Sequence, residues 1–240
     1  MKNYFNYYFY KSLNNTNNEI KRININNNSK SNLAIFSLEQ KKGRGRSGNS
    51  WKSSKGDLTC SFLINKVFEI KNIGQINILV VFKLLSVLNE LYPGLDFKFK
   101  WPNDLYLDNR KLGGILIETV IKKEKIFQIV FGIGVNFISS PETKEYKTVC
   151  LNEFSNNSNP LNFFLNFSLE FSKSLEDFNK NNFQLMCNEL TNKIKISEKL
   201  VRIKQHKKIL TGKFIKIDKL GSILLKNNQG IMKISYGEFL

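Results

Sequence analysis

Residues Gly43 to Trp51 read GRGRSGNSW, with glycines at 43, 45 and 48 and arginines at 44 and 46. Glycine permits positive φ and close backbone approach. Guanidinium groups take carboxylates and phosphates through paired hydrogen bonds. Together they suit a loop that closes over an anion. A basic, solvated surface loop is the other reading that spacing alone leaves open. In an extended segment Arg44 and Arg46 would point the same way, and Trp51 would offer a flat wall to a ring. No GxxxxGK[ST] occurs, which excludes a P-loop.

A second stretch, KWPNDLYLDNRKLGGILIE, runs from Lys100 to Glu118. Asn103 and Asp104 sit side by side at a strand-to-turn junction. Asp104 could hold Mg²⁺ directly or through water; an Asx turn after the proline is the plainer alternative. Lys111 precedes a strand whose Gly113 and Gly114 leave room for a ligand or another backbone. It could reach a buried anion, or be a surface lysine beside a hairpin. A third stretch, GIGVNF (132–137), again has glycines in an apolar strand, and Asn136 at its end could hydrogen-bond a sugar or base.

These residues need elements to hold them. LAIFSL (33–38) and LTCSFLI (58–64) read as strands, and the aromatic N-terminus as a first strand rather than a signal peptide. Apolar residues from Gly74 to Leu91 recur at helical spacing, interrupted only by Lys83, and Pro93-Gly94 stops that helix. Short β-type runs follow, with Asp108-Asn109 as a hairpin tip. Residues 161–179 and 183–195 read as helices, and short strands with polar turns after Leu200 as a small barrel. The 240 residues therefore suit a mixed α/β unit over 1–195 and a β appendage over 196–240.

Composition bounds the function. Hydrophobic residues make up 41%, enough for a sizeable core, and no apolar run is expected to span a membrane. Three separated cysteines argue against a disulfide framework and for a reducing compartment. No Cys/His pair has zinc spacing, and His206 is the only histidine. The net charge of +17 raises a nucleic-acid partner. Lys, Asn, Ile and Phe are abundant throughout, however, and the lysines are scattered, which favours drift in codon usage. The Gly/Arg stretch is too short for an RGG-type segment.

The ordered set TNN…EQKKGRGRSGNSW…GDL…KWPNDLYLDNRKLGGILIE…GIGVNF resembles the biotin protein ligases, the biotin–[acetyl-CoA-carboxylase] ligases, over nearly the whole chain. The resemblance is to the short, monofunctional class without a DNA-binding domain. It implies an α+β fold: a mixed sheet with helices, akin to class II aminoacyl-tRNA synthetases, then an SH3-like β barrel. The catalytic unit would be 1–195 and the barrel 196–240. It implies that biotin and MgATP give biotinyl-5′-AMP and pyrophosphate, and that a lysine of a biotin carboxyl carrier protein then takes the biotinyl group.

Carried over position by position, Arg46 and Lys111 would be catalytic. Thr16, Asn17, Gln40, Arg44, Arg46, Lys111, Gly113 and Gly114 would meet biotin. Arg46, Trp51, Asn103, Asp104, Lys111 and Asn136 would meet ATP, with Asp104 as the Mg²⁺ partner. Asn15 stands where the family has serine, Lys41-Lys42 where it has small residues, and Asn49 where many members have a second basic residue. A cytoplasmic monomer or homodimer is implied, with no specific DNA and no membrane. Lipoate–protein ligases share the fold and the adenylation chemistry, but KWPND and GRGR favour biotin.

Overall fold

The computed structural model describes residues 4–27, 30–143, 146–156, 158–196 and 200–240. In chain order the elements are β1 (Phe5–Tyr10), α1 (Thr16–Asn27), β2 (Asn32–Ser37), β3 (Gly43–Arg44), β4 (Ser50–Trp51), β5 (Leu58–Ile64), β6 (Phe68–Glu69) and α2 (Ile73–Leu91). Then come β7 (Lys98–Lys100), β8 (Asp104–Leu107), β9 (Arg110–Lys122), β10 (Lys125–Val135), α3 (Pro160–Glu176) and α4 (Phe183–Asn192). The chain continues with β11 (Val201–Gln205), β12 (Lys208–Ile217), β13 (Ile223–Asn227), β14 (Gly230–Ile234) and β15 (Glu238–Phe239).

The large sheet has the order β1-β2-β5-β10-β9-β8-β7, with β6 added beside β10. β1 and β2 are parallel and the other pairs are antiparallel. The run LAIF is continuously apolar because β2 is covered on both faces. Leu33 and Ile35 face α1 with Ile20, Ile23, Leu63 and Val130. Ala34 and Phe36 face the larger core with Phe62, Phe131 and the phenylalanines of α3. Phe163, Phe167 and Phe171 are almost fully buried there, each worth about 1.5–3 kcal/mol by area. Asn159 caps α3 by accepting from the Asn162 N–H, and Pro160 takes its first position. The hairpin tip at Asp108-Asn109 has positive φ at both residues, as a tight hairpin turn requires.

One expectation fails and one element was unread. Ile70–Leu91 is long and apolar enough to cross a membrane by length and composition, although no such run was expected. Lys83 hides it in a sequence scan, and Ile76, Ile78, Val81, Leu84, Leu85 and Leu88 bury most of its circumference in the core. The segment TNNEIKRININN, to which the sequence reading gave no element, is a helix, α1. Its apolar contribution is only Ile20 and Ile23, too sparse a stripe to detect.

The C-terminal residues form a separate antiparallel sheet, β14-β13-β12-β11-β15. Val201, Ile203, Ile217, Ile223, Leu225 and Ile234 nevertheless belong to the same buried cluster as α2 and α4. Gly74 of α2 lies against Leu220 and Gly221, too close for any side chain. The Trp101 indole donates to the Gly221 carbonyl (3.0 Å).

Candidate active site

The α1 face of the large sheet is only half covered by α1. Alternation along the strands puts Thr59 and Ser61 of β5, Gly132 and Gly134 of β10, and Gly114 and Leu116 of β9 on this face, in register. Replacing large side chains with glycine here leaves a cavity of about 460 Å³. The alternate residues, Ile133 and Val135, keep the other face in the core.

One wall is a polar shelf at the start of α1. Asn15 caps the helix, its Oδ1 accepting from Asn18 N–H while its Nδ2 donates to the Lys42 carbonyl. The backbone between Leu13 and Gln40 pairs as a bridge. That pairing brings Gln40 Oε1 to Thr16, whose N–H and hydroxyl both reach it (2.9 and 3.1 Å). Ser61 Oγ lies 2.7 Å from Thr16 Oγ1 and 2.6 Å from Asn17 Oδ1. Asn17 Nδ2 donates to Glu118 (2.7 Å). Glu118 also pairs with Lys21 (2.9 Å) and Arg44 (3.3 Å). Burial alone would raise the Glu118 carboxyl, but Lys21, Asn17 and Arg44 outweigh it and hold it below the usual carboxylate range.

The glycine–arginine segment forms the second wall, extended through Gly45 and turning from Arg46 onward. β3 pairs with β4, and between them Arg46–Gly48 make a tight turn with Ser47 at φ 54°. Gly45 between the arginines is extended, but the turn starts at Arg46, and the two side chains take different partners rather than a shared direction. Arg44 donates to Asn18 Oδ1 (2.8 Å) and stays 46% exposed. Arg46 donates to Asn103 Oδ1 (2.9 Å) and reaches the Gly237 carbonyl and Glu238 of the C-terminal sheet. Asn103 is fixed in turn by donating to the Ile115 carbonyl (2.8 Å). The Trp51 ring lies against Gly134, where an added Cβ would meet it at 2.6 Å. Its indole N–H is buried without a hydrogen-bond partner.

Lys111 closes the third side. Its side chain is 13% exposed, so it is not a surface lysine, and its ammonium pairs with Asp104 Oδ2 at 2.8 Å. Its backbone pairs with the segment around Thr148, which carries the Tyr146 ring to 4.9 Å from the ammonium. Asp104 Oδ1 lies beside Gly114. Gly113 does not line the cavity. Its missing side chain makes room for the Gly134 carbonyl and Val135 on the neighbouring strand. Past Trp51, Lys111 and Tyr146 a second cavity of about 570 Å³ opens, and Asn136 lies in its wall. Asn136 Nδ2 donates to the Val149 carbonyl, while its Oδ1 is buried and unpartnered.

Thr16, Asn17, Gln40, Arg44, Arg46, Trp51, Asn103, Asp104, Lys111 and Gly114 thus meet around one space, and Asn136 adjoins it. Sequence reasoning passed over Ser61, Tyr146 and the Glu238–Leu240 segment, which also line or support it. A polar residue inside the apolar run LTCSFLI was the available signal for Ser61. Among the described residues, no group of three or more His, Cys, Asp or Glu could hold a metal ion.

A sequence model of the biotin/lipoate A/B protein ligase family matches residues 9–136, more than half of the chain. The protein belongs to that family. Among its relatives is the bifunctional ligase/repressor BirA of Bacillus subtilis, 25% identical over 218 residues, 87% of this chain and 66% of the relative. Another is the biotin–[acetyl-CoA-carboxylase] ligase of Paracoccus denitrificans, 28% identical over 109 residues, 45% of each chain. The chain therefore spans two thirds or less of the length of these relatives. The biotin protein ligase from Aquifex aeolicus, solved with biotin and ATP, superposes with a TM-score of 0.80 at 27% identity, covering 98% of this chain and 97% of that one. The mixed sheet with helices and the small C-terminal β unit are those of biotin protein ligase structures.

Proposed function

We propose that the protein activates biotin with MgATP as biotinyl-5′-AMP and transfers the biotinyl group to a lysine of a biotin carboxyl carrier protein. The carrier of acetyl-CoA carboxylase or a related carboxylase is the acceptor. The carrying observation is the single cavity in which a buried polar shelf, two arginines and Lys111 converge.

In the first step a biotin carboxylate oxygen attacks the α-phosphorus, and the bond to pyrophosphate breaks. Both reactants are anions, so fixed cations must offset their repulsion and the charge that grows on phosphorus. Lys111 and Arg46 do this work. Arg46 leaves Asn103 for the adenylate phosphate and retains the anhydride away from water. In the second step the carrier amine attacks the acyl carbon, and AMP leaves. No side-chain nucleophile is needed, in keeping with a lone His206 placed in the β11–β12 turn. Mg²⁺ arrives as part of the nucleotide substrate. One carboxylate plus phosphates suffices for it, and Asp104 Oδ1 is the oxygen not taken by Lys111. Gly114, by lacking a side chain, lets biotin approach Lys111. On the nucleotide side Trp51 packs by the base, and the unpartnered Asn136 Oδ1 accepts from an amino group.

The shelf favours biotin over lipoate. Thr16, Asn17 and Gln40 suit a polar ureido ring, whereas a dithiolane would leave buried polar groups unpaired at about 1–3 kcal/mol each. The three cysteines are free and buried, which fits a reducing, cytoplasmic setting. We read the protein as a monomer or homodimer that needs neither specific DNA nor a membrane, and take 1–195 as the catalytic unit with 196–240 as its barrel. The test is ATP–pyrophosphate exchange with biotin, lipoate or octanoate. Stimulation by biotin alone is expected; stimulation by lipoate alone would overturn the substrate.

A further inference from the structure

Beneath the polar shelf, both ends of one buried amide are already occupied. Asn17 Oδ1 is 2.6 Å from Ser61 Oγ, and Asn17 Nδ2 is 2.7 Å from Glu118 Oε2. Ser61 is wholly buried and Asn17 nearly so. A carboxylate accepts only, so the end facing Glu118 must be the NH₂. The other end is then the carbonyl, and the Ser61 hydroxyl donates to it. With the Ser61 proton given to Asn17, the 2.7 Å contact between the two hydroxyls requires Thr16 to donate to Ser61, which leaves the Asn17 orientation unchanged. Gly132 completes the seat, because a Cβ there would meet Asn17 Oδ1 at 2.5 Å.

We propose that Ser61 and Glu118 are positioning residues that lock the Asn17 amide in one of its two orientations and so fix the hydrogen-bonding edge offered to the biotin ring. The inference rests on the biotin reading above. Glu118 is suited to the role because Lys21 keeps it charged independently of Arg44. The Arg44–Glu118 contact is long and solvent-exposed, so it contributes little. Arg44 can leave for a ligand without releasing Asn17. Neither residue needs to touch biotin, and each acts through Asn17 alone.

The consequence is a selective kinetic signature. Glu118→Gln can present either an acceptor or a donor to Asn17, so the amide is free to flip. Ser61→Ala removes the donor at the other end with little change in volume. Each variant should raise the KM for biotin about tenfold in pyrophosphate exchange while leaving the KM for ATP and kcat within about twofold. The double variant should cost little more than the worse single one, because residues acting through one partner are not additive. In an Asn17→Ala background neither substitution should change the biotin KM further.

The experiment is this cycle of variants on the full chain, with circular dichroism and thermal melting to establish folding. An unchanged biotin KM, a parallel rise in the ATP KM, or an effect that persists without Asn17 would overturn the proposal. If Glu118→Gln fails to fold, Ser61→Ala with and without Asn17 decides alone. A wild-type chain that shows no biotin-dependent exchange overturns the functional reading and this proposal together. A normal wild type with insensitive variants overturns this one only.

Discussion

The shelf and the glycine–arginine loop face the same cavity but are built in opposite ways. On the shelf, Thr16, Asn17 and Ser61 are buried and hydrogen-bonded to one another before any ligand enters. On the loop, the two arginines are partly exposed and rest on partners they can exchange, Asn18 and Glu118 for one, Asn103 and Gly237 for the other. A neutral, polar ring is best recognised by groups whose desolvation is already complete. A charged intermediate that must be held and then released is better met by cations with alternative resting places. Under the proposed function, the difference would separate selection of the acid from retention of its adenylate.

The largest expected effect tests the charge that serves both halves. Lys111→Ala should lose on the order of 10²–10³ in adenylation rate, the scale for one preorganised donor. A near-wild-type rate in single-turnover assays would show that the Lys111–Asp104 pair is only structural. Arg46→Gly should break the loop side alone. Losing one charge-assisted hydrogen bond of about 1.5–3 kcal/mol should speed release of preformed biotinyl-AMP roughly tenfold to a hundredfold. Bystander proteins would then be labelled more, while the melting temperature would barely move. Unchanged release would return the loop to a passive surface role.

Two glycines on one strand sharpen the contrast. Gly132→Ala puts a methyl group against Asn17 and Gly134→Ala puts one against Trp51. Overpacking of this kind costs about 1–3 kcal/mol. The first should raise the biotin KM and the second the ATP KM, each by about tenfold. If both substitutions weakened both substrates equally, the two halves would not be separable.

The smallest effect is in acid. Glu153 accepts from Ser140, Arg110 and the Cys150 N–H in the segment beside the second cavity. Burial pushes its carboxyl up, but these partners prevail and bring it down to about 2 from the usual 4.5. A depressed folded-state value means that the stabilisation is complete above about pH 4.5 and lost as pH falls towards about 2. Because the side chain is partly exposed, the effect is modest. Thermal midpoints of wild type and Glu153→Gln should differ at pH 7 and converge at low pH. A constant difference across that range would contradict the assignment.

The parts legible in the sequence were those whose signal is local. Strands 33–38 and 58–64 and the helix to Leu91 announced themselves by periodicity, and the Asp108-Asn109 tip by its residue types. GRGR, KWPND and KLGG marked most of the site. What stayed hidden depends on distance along the chain. Glu118 meets Asn17 across 101 positions, and Glu238 reaches Arg46 from the far C-terminal sheet. The diverging arginines were missed because the tight turn begins at Arg46 itself, directly after the extended Gly45. Helix α1 was missed because two buried isoleucines do not make a readable stripe.

The contact of Gly74 with Gly221, together with the Trp101–Gly221 hydrogen bond, has a practical consequence for recombination. Anyone grafting a C-terminal sheet from a relative onto this chain would replace the carbonyl that anchors the tryptophan of KWPND. A crossover near residue 195 would therefore work only if the donor sheet supplied a turn without side chains at 221. It would also need an aromatic ring at 239, where Phe239 meets Trp101 edge-on. Libraries of chimeras should fail in proportion to mismatches at those two positions, however well the rest of the sheet is conserved in shape.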